Sequence, residues 1–323
     1  MKALIYGTGS IGGVYGYILH KAGLDVVTLC RSNLKAVQED GITIHSELWG
    51  EVNYRPTAIA SVTEAAKSQG PFDFVFVCCK AVPGVCEQIR DAVTPGETAI
   101  VLAQNGIDIE CEYAANYPSN TIISGVVWLA ATQVRPGIIT AGKSVQLEMG
   151  TYPASTSNEH KKRAEQLSEL WEKGAGKGSA PVFDDVQSRR WLKLTVNATM
   201  NPIAALTRCD GGSLSLCAEQ MAATDVLVRV MRQVGAVAAS EGYTDLVTDG
   251  HIQKVMDFYH SQRVTGAKDS SMLMDVRAGR TLEVDAILGN LMKIARRNQV
   301  PVPDLELLYF LVTALNLSLS NSR

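Results

Sequence analysis

Six residues near the amino terminus, Gly7-Thr8-Gly9-Ser10-Ile11-Gly12, have the types and spacing that hold a pyrophosphate. In a G-x-G-x-x-G turn the first glycine permits a tight reversal. The second lets backbone approach the phosphates, and the third lets the following helix pack close on the sheet. That helix then presents unpaired N–H groups and a partial positive charge to the anion. The alternative is a glycine-rich turn that holds nothing. Some twenty residues on, where an NAD-selective fold places Asp or Glu against the ribose 2′-OH, the chain reads Cys30-Arg31-Ser32-Asn33. A cation and two small polar groups suit a 2′-phosphate, and so NADP. A charge-assisted contact is worth about 1.5–3 kcal/mol, enough to shift preference tenfold or more. The alternative for Arg31 is a solvated loop charge.

A second constellation is Arg190-Trp191-Leu192-Lys193-Leu194-Thr195-Val196-Asn197-Ala198-Thr199-Met200-Asn201-Pro202. On a helix, Lys193, Asn197 and Asn201 fall four apart and share a stripe with Arg190, while apolar residues cover nearly all the remaining circumference. A narrow polar stripe on a buried cylinder suits a helix whose single polar edge lines a cleft. It equally suits a solvent-facing edge with a snorkelling lysine. Further on, Lys268–Asp275 and Arg277–Asp285 read as loop, short helix, turn and helix start. There Glu283 and Asp285 have the placement of ordinary first-turn acids.

The elements around these residues fall into two sets. The first half alternates strand and helix: strands at Lys2–Tyr6, Asp25–Leu29, Phe74–Val77 and Ala99–Leu102, a hairpin over Ile42–His45 and Glu51–Arg55, and helices between. Alternation of this kind implies a mostly parallel sheet covered on both faces. Consecutive strands at Ile122–Leu129, Val134–Thr140 and Val145–Met149 would extend it antiparallel, with a last short strand at Val182–Phe183. Beyond Asp184 helical periodicity takes over, with helices expected at Val186–Met200, Ala218–Glu241, His251–His260, Val284–Asn298 and Asp304–Leu317. The expected organisation is a Rossmann-type doubly wound domain over residues 1–184 and an all-α domain over 185–323.

Composition bounds the partners. Formal net charge is -3 with 20% charged residues, acids and bases interspersed, which argues against nucleic-acid or membrane-surface binding. The apolar runs are too short to span a bilayer. Seven cysteines without a C-x-x-C pair, and no signal-like segment ahead of the first strand, point to a reducing cytoplasmic compartment and to no metal site. The long apolar helices of the second half would pack internally or across a homodimer.

Together the motifs resemble the ketopantoate reductase (2-dehydropantoate 2-reductase) family. They are Gly7–Gly12, Cys79-Lys80-Ala81, Gln104-Asn105-Gly106, Lys193-Leu194 with Asn197 and Asn201-Pro202, Ser270–Leu273 with Asp275, and Glu283. The resemblance implies NADPH-dependent reduction of a 2-oxo acid, 2-dehydropantoate to pantoate above all, on the route to pantothenate and coenzyme A. It implies that Lys193 is the general acid and that Glu283 binds the substrate hydroxyl as its catalytic partner. Asn197, Asn201 and Ser271 match substrate-contacting positions. Asn105 matches the junction of cofactor and substrate. Lys80 and Arg31 match cofactor-side cations. The chain departs from the family pattern at Gly106–Cys111, where a glycine-rich helix start is expected. Three other readings stand beside this one. They are a paralogue acting on another 2-oxo acid, a 6-phosphogluconate or β-hydroxyacid dehydrogenase type of enzyme, and a catalytically silent NADP sensor. The sensor would have lost the general acid, which is present.

Overall fold

A computed structural model describes residues 1–220, 224–265 and 269–321 of the chain. The chain divides into two compact units. One is Met1–Asn105 with Ile109–Val186, and the other is Gln187–Arg323 with the short segment Gly106–Asp108.

The first unit contains strands β1 (Lys2–Tyr6), β2 (Asp25–Leu29), β3 (Ile42–Ser46), β4 (Gly50–Tyr54), β5 (Thr57–Ile59), β6 (Phe74–Val77), β7 (Ala99–Leu102), β8 (Ile122–Trp128), β9 (Ala131–Arg135), β10 (Ile138–Ala141) and β11 (Gln146–Tyr152). Its helices are α1 (Ser10–Lys21), α2 (Leu34–Asp40), α3 (Val62–Gln69), α4 (Val85–Gln88), α5 (Glu110–Asn116) and α6 (Asn158–Ala175). Seven strands form one sheet in the order β11-β8-β7-β6-β1-β2-β5. All pairings in it are parallel except that of β11 with β8. The uninterrupted apolar runs FVFV in β6 and AIVL in β7 are buried at every position, as strands covered on both faces must be.

The region after β8 differs from its sequence-based expectation. Val134–Thr140 is not one strand but parts of two, β9 and β10, reversed at Pro136-Gly137, where Gly137 has φ +76°. Proline lacks the ladder donor and glycine takes the left-handed turn, so no strand runs through the pair. These strands leave the main sheet and join the β3–β4 hairpin in a second sheet of order β4-β3-β10-β9. Only β11 returns as the antiparallel extension. The expected strand at Val182–Phe183 is reduced to a single bridge from Val182 to Met149.

The two sheets enclose α1. A Cβ at Gly12 would lie 2.2 Å from the Gly7 carbonyl oxygen, one at Gly13 2.3 Å from Ile139 of the second sheet, and one at Gly16 2.4 Å from the Tyr54 hydroxyl. Tyr54 donates from that hydroxyl to the Gly13 carbonyl at 2.7 Å. On its remaining side α1 meets α6, where a Cβ at Gly174 would come within 2.0 Å of the Ile18 carbonyl and Tyr15 meets Trp171 edge-on at 4.5 Å. The helix behind the glycine-rich turn is therefore gripped on three sides.

The second unit is helical: α7 (Gln187–Asn197), α8 (Met200–Thr207), α9 (Gly211–Gln220), α10 (Thr224–Ser240), α11 (Asp249–Thr265), α12 (Ser271–Arg277), a π-turn over Asp285–Gly289, α13 (Asn290–Arg297) and α14 (Pro303–Asn321). No strand occurs in it among the described residues. Of the expected helix Ala218–Glu241, residues 221–223 lie outside the described residues, as does Lys268. The expected helix Val186–Met200 ends instead at Asn197, and α8 begins after Ala198-Thr199. Pro202 explains the break. In a continuous helix it could not donate to the Ala198 carbonyl and its ring would strike it, whereas in the first turn of α8 its missing N–H costs nothing.

Candidate active site

In the first unit the predicted cofactor residues gather along one edge of the main sheet, at the carboxyl ends of adjacent strands. Gly7–Gly12 follow β1, Arg31 follows β2, Lys80 follows β6 and Asn105 follows β7. Strand ends are tied to one another there. The Gln104 amide donates to the Cys79 carbonyl at 3.0 Å, and the Thr8 hydroxyl donates to the Leu29 carbonyl at 2.8 Å. Crevices outside the carboxyl ends of such strands are where doubly wound sheets take ligands.

The glycines of the turn divide by cause. Gly7 has φ +99° and no room, since a Cβ would stand 2.7 Å from the Cys79 nitrogen; Gly12 is closed off by Gly7 and Ile5. Both are explained by the protein's own atoms. Gly9 is not. It is exposed, its φ of -87° suits any residue, and a Cβ there would meet nothing within 4 Å. It is also the N-cap of α1 and makes no side-chain cap bond. Open space against backbone N–H groups at a helix amino end is a cradle for an anion, and a dinucleotide pyrophosphate fits it.

At the end of β2, Arg31 is exposed but not adrift. It lies near enough to Tyr6 to act on that phenol, whose hydroxyl donates to Gln88. Burial and nearby Cys79 push the Tyr6 phenol above its ordinary value, and Arg31 draws it back. Asn33, grouped with Arg31 in the sequence as a phosphate-side polar residue, is instead 5% exposed and donates to the Thr8 carbonyl at 2.7 Å. It also reaches Gln133 of β9 at 3.3 Å, so it braces the glycine-rich turn against the second sheet. That leaves Arg31 and Ser32 as the exposed polar groups of the segment. The nearby thiols are poor nucleophiles. Burial pushes Cys78 far up and Cys86 up to about 12, with Glu112 and Glu87 adding to the latter.

In the second unit, α7 carries Lys193, half-buried, and Asn197, buried. Although the helix breaks, Asn201 on α8 still reaches back, donating from Nδ2 to Asn197 Oδ1 at 3.4 Å. That long bond is the only one either side chain makes among the described residues, which leaves amide donors and acceptors in hand at both. Arg190 is not part of this edge. It is 3% exposed and donates to the Gly106 carbonyl at 3.1 Å.

α12, which packs on α8, begins at Ser271. The capping role belongs to Ser270, whose side chain accepts from the Leu273 N–H at 3.3 Å, and Ser271 is left exposed. Glu283 stands between two buried anchors, Leu282 and Val284, and Leu282 is further held by its N–H donating to Asn316 at 2.8 Å. Glu283 itself is half-buried. No group of three or more His, Cys, Asp or Glu able to hold a metal occurs among the described residues. No helix among them is long and apolar enough to cross a membrane.

Comparison with known proteins bears on both units. The family model described as ketopantoate reductase PanE/ApbA matches residues 3–154, and its C-terminal companion matches residues 185–316. A 2-dehydropantoate 2-reductase of Nostoc is 29% identical over 95% of this chain and 93% of its own length. The crystal structure of the 2-dehydropantoate 2-reductase from Methylococcus capsulatus superposes with a TM-score of 0.84 at 33% identity, covering 99% of this chain and 98% of that one. A D-mandelate dehydrogenase solved with NADH and anilino(oxo)acetate shares the fold at 20% identity and a TM-score of 0.84, covering 99% of this chain and 100% of that one.

Proposed function

The chain belongs to the ketopantoate reductase family of NAD(P)-dependent oxidoreductases acting on CH–OH groups, and from that premise we propose that it uses NADPH to reduce 2-dehydropantoate to pantoate. The substrate class is a small 2-oxo acid, and the proposed place is the cytosolic supply of pantothenate and coenzyme A. All seven cysteines are free thiols, in keeping with a reducing compartment. The observation that carries the reading is the buried amide pair Asn197–Asn201 on α7 and α8, with half-buried Lys193 one turn before Asn197. The amide donors and acceptors that the Asn197–Asn201 bond leaves unused suit a polar ligand.

The proposed cofactor residues are Gly7, Thr8, Gly9, Ser10, Ile11 and Gly12 for the pyrophosphate, Arg31 for the 2′-phosphate, and Lys80 and Asn105 nearer the reacting end. When bound, the dinucleotide supplies the hydride that adds to the keto carbon. That addition breaks the carbonyl π bond and leaves the electron pair on oxygen. The Lys193 ammonium stabilises the developing charge and gives up a proton from Nζ, so the product leaves as the neutral alcohol and the amine regains a proton from water. Glu283 accepts from the substrate hydroxyl. Asn197, Asn201 and Ser271 fix the orientation of the acid, converting a bimolecular encounter into a held geometry.

The test is a panel of 2-oxo acids followed at the NADPH absorbance. 2-Dehydropantoate should be turned over fastest among them. Measurable NADPH binding with silence across the panel would refute the reading and favour a sensor.

A further inference from the structure

The three residues after Asn105 have an unusual backbone. Gly106 has φ +108°, and a Cβ there would lie 2.3 Å from the Ala286 carbonyl oxygen. Asp108, not a glycine, has φ +58°. Ile107 between them is 2% exposed and sits in the hydrophobic core of the helical unit. Three backbone groups of this segment are bonded within that unit. The Gly106 carbonyl accepts from Arg190 Nη1 at 3.1 Å, the Ile107 carbonyl accepts from Asn290 Nδ2 at 2.9 Å, and the Ile107 N–H donates to the Ala286 carbonyl at 3.1 Å.

The last bond explains the π-turn. In an α-helix the Ala286 carbonyl would accept from the N–H of Asn290, four residues on. Here that N–H reaches back five residues, to Asp285. The Ala286 carbonyl is thereby released, and Ile107 takes it. A π-turn weakens the regular ladder and persists where something uses it. What uses it is the chain next to Asn105. The holding groups also lie close in sequence to the proposed reacting residues. Arg190 precedes Lys193 by one helical turn, and Ala286 follows Glu283 by three residues.

We propose that Arg190, Asn290 and the π-turn at Asp285–Gly289 form a latch whose task is to fix Asn105, and that Arg190 and Asn290 are positioning residues for the reduction. The inference rests on the reading above that Asn105 serves at the junction of cofactor and substrate. It accounts for the departure of Gly106–Cys111 from the family pattern. A glycine-rich helix start is replaced by a segment that surrenders its backbone bonds to the helical unit. Displacing a reacting group by about 1 Å can lower a rate on the order of a hundredfold, so a latch of two side chains has leverage without touching substrate.

The experiment compares wild type, Asn290→Ala, Arg190→Met, Arg190→Lys and the control Lys293→Ala in the NADPH-linked assay. Each is also measured for NADPH affinity without oxo acid and for its urea midpoint. The control is needed because Lys293 donates to Asn290 Oδ1 at 3.1 Å, a bond that Asn290→Ala also removes. Asn290→Ala should lower kcat about tenfold, with NADPH affinity within about twofold and the urea midpoint close to wild type. Lys293→Ala should match wild type. Arg190→Lys, which keeps a cationic donor, should recover part of the kcat that Arg190→Met loses. An Asn290→Ala enzyme with wild-type kcat, or a loss no larger than its unfolded fraction, overturns the latch. A wild type without 2-oxo acid turnover overturns the functional reading and the latch together, so the two failures are told apart.

Discussion

Alanine placed at Gly9 and, separately, at Gly12 should separate cofactor binding from folding within a single turn. At Gly12 the new Cβ would stand 2.2 Å from the Gly7 carbonyl oxygen and 2.8 Å from Ile5 Cγ2, both on elements pinned by the sheet. Overpacking of this kind costs about 1–3 kcal/mol. For a domain of this size that is a fall in Tm of roughly 2–12 °C. At Gly9 nothing lies within 4 Å, and φ is -87°. Removing a glycine from the unfolded ensemble stabilises by about 0.4–1 kcal/mol. Losing glycine at an N-cap offsets a comparable amount, so the net change stays under about 1 kcal/mol. The Gly9 methyl would instead occupy the space in which the pyrophosphate meets the amino end of α1. Loss of one charge-assisted bond there corresponds to roughly a ten- to hundredfold rise in Kd for NADPH. Fluorescence titration with NADPH and thermal unfolding of the same samples read both quantities. If Gly9→Ala bound NADPH as wild type does, or unfolded before Gly12→Ala, the assignment of Gly9 to ligand and of Gly12 to packing would be wrong.

Lys193→Ala should lower kcat on the order of 100-fold or more while leaving NADPH affinity nearly unchanged, as expected for a proton donor; steady-state kinetics beside NADPH titration decides it, and a full-rate variant removes Lys193 from the chemistry. Arg31→Ala should weaken NADPH about tenfold or more and NADH far less, and equal losses for both would show that Arg31 serves Tyr6 rather than a 2′-phosphate. Burial holds the His251 imidazole below its ordinary value, helped by Lys254 and Arg189 and opposed by a bond to the Leu192 backbone, and its buried Nε2 has no partner among the described residues. The folded state thus prefers the neutral ring, a preference fully present above about pH 6.5 and lost as the pH falls through the folded value. Thermal scans from pH 7.5 to 5 should show wild type losing more Tm than His251→Asn, and parallel curves would contradict this.

What the sequence disclosed follows how local its cause was. The turn Gly7–Gly12 is written by neighbours in sequence, and β1 before it and α1 after it are a few residues away. The polar edge Lys193–Asn197 is likewise a matter of helical period. Its break is legible too, since Pro202 weighs against a helix through Ala198. The same holds for Pro136-Gly137 between β9 and β10. The second sheet was not legible, because β10 pairs in parallel with β3 across nearly a hundred residues. The segment Gly106–Asp108 was still less so. Its only local sign was a glycine, and its conformation is set by Arg190, Ala286 and Asn290, far along the chain. Arg190 itself was misplaced on the polar edge, since periodicity counts faces and does not reveal that one face is closed by another segment.

Backbone irregularity supplies an argument independent of side-chain chemistry. Non-glycine residues at positive φ cost about 1–3 kcal/mol and persist only where surroundings enforce them. Of the four such residues described here, Arg208 closes α8, Gln299 follows α13, and Asp245 lies in the turn region after α10. Asp108 stands in the loop after β7 and ahead of α5, next to Ile107, whose backbone is bonded to Ala286 and Asn290. The helix break at Ala198-Thr199 lies between Asn197 and Asn201, and the π-turn opens two residues after Glu283. Gly106, at a positive φ and with no room for a Cβ, follows Asn105 directly. By contrast α10 and α14, two long helices of the helical core, run without interruption through their described residues. Within the helical unit, the departures from regular helix fall beside Asn197, Asn201 and Glu283, where geometry rather than packing is at stake. That distribution favours Asn197, Asn201 and Glu283 as the working residues of the helical unit even before their chemistry is considered.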